Sequence, residues 1–168
     1  MHTVPSWSLL NTDQTPACFW ITNFDNIITG NRAAGAENYG FWFDPPKNPT
    51  GPSKTTEICP EHVPLGVFDN NVAHSNGKYG LRIFHAHIPL TDPCGSVKDT
   101  STADYWSANP AVTAKYTNFS SWKNKDNGAI GDDLGDVWFE GFKVADNKLA
   151  GIEMAWTCLL YTSDAADE

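Results

Sequence analysis

The string GDDLGD places three carboxylates, Asp132, Asp133 and Asp136, in a turn ahead of the apolar run VWF. Two carboxylates across a groove are the apparatus of glycoside hydrolysis, so these three are the candidate catalytic residues. Turns also collect Asp because its side chain caps backbone N–H groups, and the same residues suit a calcium-binding, turn-capping or simply solvated role. A lyase would need a base such as Arg82 or Lys115, which no spacing singles out. In IFHAHIP, His85 and His87 stand two residues apart. On a strand both rings would leave one face, a metal-ligand spacing that lacks a third ligand at a fixed offset. They are therefore read as surface histidines at a loop entrance and as candidate binding residues, with no metal and no cofactor expected. Tyr105 and Trp106, far from any strand-like run, are the best placed aromatics for stacking on a sugar or a partner. Asn118-Phe119-Ser120 is the only glycosylation sequon, since Asn48 is followed by Pro.

The elements that position these residues are short strands. The 168-residue chain is 40% hydrophobic and 12% aromatic, too apolar for disorder and long enough for one core. Thirteen Gly, eleven Pro and many Asn and Asp, with no Ala, Leu, Glu and Lys run, point to an all-β fold punctuated by turns. A net charge of −9, with eleven scattered Lys and Arg, leaves no basic stripe for a phosphate backbone, so nucleic acid is excluded as a partner. No stretch approaches the roughly 20 apolar residues of a membrane span. The four cysteines, Cys18, Cys59, Cys94 and Cys158, form no C-x-x-C pair, which argues against a zinc or thioredoxin-like motif.

Four segments share a frame in which a polar stretch leads to a Gly and a β-rich run follows. Aligned on Gly40, Gly80, Gly128 and Gly151, three of them carry an Asn four residues earlier, at Asn76, Asn124 and Asn147. The Gly-to-Gly spacings are 40, 48 and 23, and the last is close to one coil of a solenoid, about 20–29 residues. The longer two fit a coil plus an insertion, from Asp44 to Pro64 and from His85 to Val112. Because each insertion follows the strand after the repeat Gly, both should leave the same face of the stack. Runs such as FWITN, GFWF, GLRIF and DVWFEGF would stack coil on coil. The repeat Gly and Asn would sit in turns where positive φ is cheap, and aligned Asn would form hydrogen-bonded ladders. A β-sandwich or jelly roll is the alternative architecture.

The ordered strings FWITN, AAGAENYGFWF, NPTGPS, VPLG and NNVAHSNGKYG make the chain similar to the parallel β-helix region of the fibrocystin and fibrocystin-L family. A looser likeness extends to cell-migration-inducing hyaluronan-binding protein and transmembrane protein 2. It covers Thr15 to Met154 and implies a right-handed, single-stranded parallel β-helix of the pectin-lyase-like kind, here a fragment with two long inserted loops. It also implies an internal segment of a large extracellular, cell-surface membrane protein. Such a segment acts as a structural or ligand-binding ectodomain without catalysis, and membrane contact comes only through the parent's anchor. Extracellular protein or glycan ligands are the expected partners. The alternative function is a carbohydrate-active β-helix that depolymerises hyaluronan or another polysaccharide. The extracellular implication, with one cysteine in each insertion, favours a Cys59–Cys94 disulfide over the other pairings of the set. Cys18, beside Phe19 and Trp20, reads as a buried free thiol. From Cys158 onward, CLLYTSDAADE departs from the pattern and resembles a translated sequencing-adaptor read-through. The expected division is a β-helix over 1–157 and a non-native tail over 158–168.

Overall fold

A computed structural model describes residues 15–95 and 109–155. Tyr105, Trp106 and the tail from Cys158 lie outside the described residues. Within the described residues, thirteen short strands alternate among three parallel sheets and there is no α-helix. The five-stranded sheet stacks β1 (Ala17–Ile21), β4 (Tyr39–Phe43), β7 (Leu81–Ile83), β10 (Ala129–Asp132) and β13 (Ile152–Ala155). A four-stranded sheet stacks β2 (Ile27–Thr29), β5 (Val67–Asp69), β8 (Ala114–Thr117) and β11 (Val137–Glu140). The third stacks β3 (Arg32–Ala34), β6 (Val72–His74), β9 (Ser120–Trp122) and β12 (Lys143–Ala145). Each strand pairs in parallel with its counterpart one coil away, which is the architecture of a parallel β-helix.

The register Phe41↔Leu81↔Ala129↔Ile152 reproduces the spacings of 40, 48 and 23 residues that the repeat glycines mark. One further rung, Phe19↔Phe41, precedes them. Both insertions leave the end of a strand of the five-stranded sheet, between β4 and β5 and between β7 and β8, so they share one edge of the stack.

Two columns of left-handed residues make the corners around β3, β6, β9 and β12. Gly30, Asn70, Asn118 and Gly141 turn the chain from the second sheet to the third, and Gly35, Ser75, Lys123 and Asp146 turn it out again, all at φ of 51–71°. Neither the repeat glycines nor Asn76, Asn124 and Asn147 are among them, which corrects the expectation that the repeat Gly and Asn occupy positive φ. The glycines serve close approach instead: a Cβ on Gly40 would lie 2.5 Å from the Gly80 carbonyl, and one on Gly80 2.5 Å from the Gly128 carbonyl. Stacked coils leave no room there for a side chain.

The Asn ladder forms at the second corner. Asn124 Oδ1 accepts from Asn76 N and Nδ2 at 3.1 and 3.0 Å, Asn147 Oδ1 accepts from Asn124 N and Nδ2 at 3.2 and 2.8 Å, and Asn76 Oδ1 accepts from Ala36 N at 3.1 Å. Each rung satisfies a corner N–H that the sheets do not reach. Inside, Phe19 stacks on Phe41, and Phe41, Phe43, Phe68, Tyr116 and Phe119 fill the lumen with edge-to-face contacts. Fully buried aromatics of this size are the main source of stability in so narrow a core.

Candidate functional site

Asp132 and Arg82 stand on the outer face of the five-stranded sheet, and Asp133 and His85 at the edge where the insertions leave it; the other candidates lie elsewhere. Along that face the rungs Trp20, Trp42, Arg82, Ile130 and Glu153 stand in register. Trp20 stacks on Trp42 with ring centroids 5.4 Å apart. The Arg82 guanidinium lies over Tyr39, Tyr79 and Phe84 at 5.0, 5.7 and 4.0 Å, and its Nη1 donates to the Tyr39 hydroxyl. Tyr39, Ala17 and Trp42 form a small apolar cluster of their own outside the lumen, with Tyr79 and Phe84 packed against it.

Of the three candidate carboxylates, Asp132 belongs to this face. Partial burial pushes its carboxyl above the ordinary value; Arg82 opposes that shift, while Glu153 and Asp133 add to it. Asp133 is exposed, in a left-handed conformation with φ of 48°, and its carbonyl accepts the His87 N–H at 3.2 Å. Asp136 is engaged elsewhere: its carboxylate accepts from the Trp138 indole at 2.8 Å and from the Thr113 hydroxyl.

The two histidines part company, which corrects the expectation that both rings leave one face. His85 adopts a positive φ of 36°, which turns the chain between them. Its ring rests against Phe84 and stays largely exposed, with Nε2 3.8 Å from Asp44 Oδ1, an ion pair when protonated. His87 is fully buried. It stacks on Phe24 at 3.5 Å, its Nε2 lies 3.2 Å from the Val63 carbonyl, and its Nδ1 lies 3.1 Å from the Tyr116 hydroxyl. With Nε2 protonated and donating to Val63, Nδ1 accepts the Tyr116 proton, so one neutral tautomer satisfies both contacts. Burial holds its pKa down to about 3. In this position His87 is a pin between the insertion and the core, out of reach of a ligand.

Cys59 and Cys94 are joined by a disulfide, with Cα atoms 5.4 Å apart. The two insertions also share main-chain hydrogen bonds, from Ile88 N to the Glu61 carbonyl and from Leu90 N to the His62 carbonyl, each 3.0 Å. The excursions thus make one surface beside the aromatic face. Cys18 is half-buried and unpaired among the described residues, its Sγ 3.8 Å from the Ala34 carbonyl. Asn118 is exposed at its corner, and its Nδ2 donates to Asp69 Oδ1 at 2.8 Å. That bond and the one from Thr117 lower the Asp69 carboxyl below its ordinary value.

Sequence reasoning missed the aromatic face. Its signal was available as the alternation within YGFWF, where Phe41 and Phe43 point inward and Trp42 outward, together with Trp20 one coil earlier.

Residues 2–81 match the family model described as the CEMIP beta-helix. Mouse fibrocystin-L is 41% identical over 149 residues, which is 88% of this chain and 3% of that protein. Human cell migration-inducing and hyaluronan-binding protein is 35% identical over 149 residues, 82% of this chain and 11% of its own length. Human cell surface hyaluronidase CEMIP2 is 35% identical over 141 residues, 77% of this chain and 10% of its own length. The chain therefore spans about a tenth or less of these relatives.

Proposed function

Since the chain belongs to the fibrocystin-L and CEMIP group of β-helix sequences, we propose that it is a stretch of rigid rod in the extracellular part of a cell-surface protein. Its role is to hold a ligand-contact surface for a glycan or a protein, without chemistry of its own. The observation that carries this reading is the joining of the two insertions at one edge of the stack by the Cys59–Cys94 bridge and the bonds between Ile88, Leu90 and the Glu61–His62 turn. A bridge across a long closed loop keeps two Pro-rich excursions in one conformation, which lowers the ordering cost of binding. The names of two relatives, hyaluronan-binding in one and hyaluronidase in the other, support a glycan among the ligands. The test is a glycan and cell-surface binding screen with the secreted chain and a Cys59→Ser/Cys94→Ser variant. Binding that the variant weakens supports the loop surface, and binding indifferent to it removes the loops from the function. On the same reading Asn118 carries an N-linked glycan, seen as a mass loss on enzymatic deglycosylation that Asn118→Gln abolishes.

A second reading is carbohydrate turnover, favoured by one observation: the Asp132 carboxyl is raised, as a general acid requires, and sits next to Arg82 and Glu153. A reducing-end assay on hyaluronan and neutral polysaccharides decides it. Turnover that disappears in Asp132→Asn establishes the enzyme, and no turnover above background leaves the binding role.

A further inference from the structure

The two insertions are fastened to the coils through one buried side chain. The His87 ring stacks on Phe24, in the turn after β1, at 3.5 Å, and the Tyr116 hydroxyl of β8 donates to its Nδ1. Its main chain is held by the turn after β10, where the His87 N–H donates to the Asp133 carbonyl at 3.2 Å and Gly135 N donates to the His87 carbonyl at 2.9 Å. The coils are wound by other contacts: the parallel sheets, the Asn ladder and the packing of Phe41, Phe43, Phe68 and Phe119. The insertions are meanwhile tied to each other. Besides the Cys59–Cys94 bridge, Ile88 N and Leu90 N donate to the Glu61 and His62 carbonyls, the His62 Nδ1–H donates to the Ile88 carbonyl at 3.0 Å, and the His87 Nε2–H donates to the Val63 carbonyl. Whatever expels His87 from its socket therefore moves both insertions as one body.

We infer that the joined insertions are an acid-opened flap, which at mildly acidic pH lifts His87 off Phe24 and Tyr116 while the coils stay wound. Protonation is what expels the ring. An Nδ1 that gains a proton no longer accepts from Tyr116, and the buried phenol proton, which burial keeps on the oxygen, loses its partner. Nothing in the socket offsets the new charge. Among the described residues the one titratable side chain whose charge acts on the ring is His62, and its sign opposes protonation. Asp133 lends its carbonyl but is itself exposed, and the Asp136 carboxylate is engaged by Trp138 and Thr113. The remaining charges at the junction favour closure when protonated, since His85 then pairs with Asp44 and His62 still donates to Ile88. The closed form thus excludes a proton that the open form accepts. Closure is at full strength above the ordinary histidine value of 6.5 and weakens as pH falls from there toward the folded value of about 3. Between pH 7 and pH 5 the ratio of open to closed forms should rise about 25-fold. The loop surface of the proposed function would then be assembled at neutral pH and dismantled in acid, and only this consequence rests on that reading.

The experiment is amide hydrogen exchange of the oxidised full chain at pH 7 and pH 5, with protection corrected for the intrinsic rate at each pH. The His87 and Gly135 amides report the flap, and the Phe41 and Leu81 amides, which donate to the Gly80 and Gly128 carbonyls, report the coils. The flap amides are expected to be less protected than the coil amides at both pH values, as a local opening requires. They should lose about 25-fold of their protection on going to pH 5. In His87→Gln, which keeps a donor and an acceptor but does not titrate, that loss should shrink to less than about threefold. His62→Gln and His85→Gln should retain it. Flap amides in the native chain that keep their protection at pH 5 overturn the inference, a result that needs no variant to fold. Protection equal to that of the coil amides also overturns it, because opening is then global. So does an acid response that survives His87→Gln or vanishes in His62→Gln. No ligand enters the measurement, so its failure leaves the binding role of the loops standing, and a failed binding screen leaves the flap standing.

Discussion

His87 makes this fold acid-labile in a defined window. The folded chain holds the imidazole neutral, with a pKa pushed down to about 3 by burial, against an ordinary value of 6.5. Between those values the unfolded chain binds more protons than the folded one. Stability therefore falls as pH drops through 6.5 toward 3, and is fully restored above 6.5. At pH 5 the unfolded imidazole lies about 1.5 pH units below its midpoint, and each unit corresponds to about 1.36 kcal/mol. The expected loss between pH 7 and pH 5 is therefore on the order of 2 kcal/mol, or about 4–8 °C in Tm for a chain of this size. The Asp69 carboxyl, lowered by Thr117 and Asn118, contributes in the opposite part of the scale: its stabilisation is present above the ordinary carboxylate value of 3.8 and is lost as pH falls through its lower folded value. It does not blur the window. The assay is urea unfolding at pH 5, 6 and 7 for the native chain and for His87→Gln, which keeps a donor for Val63 and an acceptor for Tyr116 but cannot titrate. The variant should be less stable at pH 7 and should lack most of the decline toward pH 5. An imidazole resonance of His87 that titrates in the folded protein above pH 5 would refute the reasoning, as would equal slopes for the two chains.

Asn124→Ala should cost about 2–4 kcal/mol, because it removes an acceptor shared by Asn76 N and Nδ2 and strands a buried donor; chemical denaturation checks it, and a cost under about 0.5 kcal/mol would mean the ladder is ornamental. Gly80→Ala should prevent folding of the stack, since its Cβ would sit 2.5 Å from the Gly128 carbonyl, whereas Gly35→Ala meets nothing within 4 Å and should cost only what its positive φ imposes. Circular dichroism of the two variants tests the contrast. Opening the Cys59–Cys94 bridge, which spans a sequence separation of 35, should cost about 2–4 kcal/mol and render the insertions sensitive to limited proteolysis before the coils.

The sequence by itself determined the coil repeat and where it is interrupted. A β-helix must return to the same rung each turn, so the spacing of Gly40, Gly80, Gly128 and Gly151 is the register itself. Asn76, Asn124 and Asn147 recur because each corner leaves the same N–H unpaired. The position of both insertions after a strand of one sheet followed from that register, and their cysteines lie within bonding distance as a consequence. Several strands were not legible: β2, β3, β5, β6, β9 and β12 are three residues long, too short for a period of two to declare itself.

Facing direction was decided only by the tertiary structure. A Cβ on Gly40 would point at Ala73, inside the lumen, and its neighbour Phe41 is buried there too, so the chain breaks alternation at that corner. Tyr39 is thereby thrown outside to meet Arg82, a contact that no count of residues predicts. The positive φ at His85 does the same in the second insertion, leaving one histidine in solvent and folding the other against Phe24. Spacing along the chain reports where a rung recurs, because stacking requires it. Which way a side chain faces at a corner depends on the backbone angle there and on what the neighbouring coil leaves open, and both are set by residues 20 to 50 positions away, which is about one coil and its insertion.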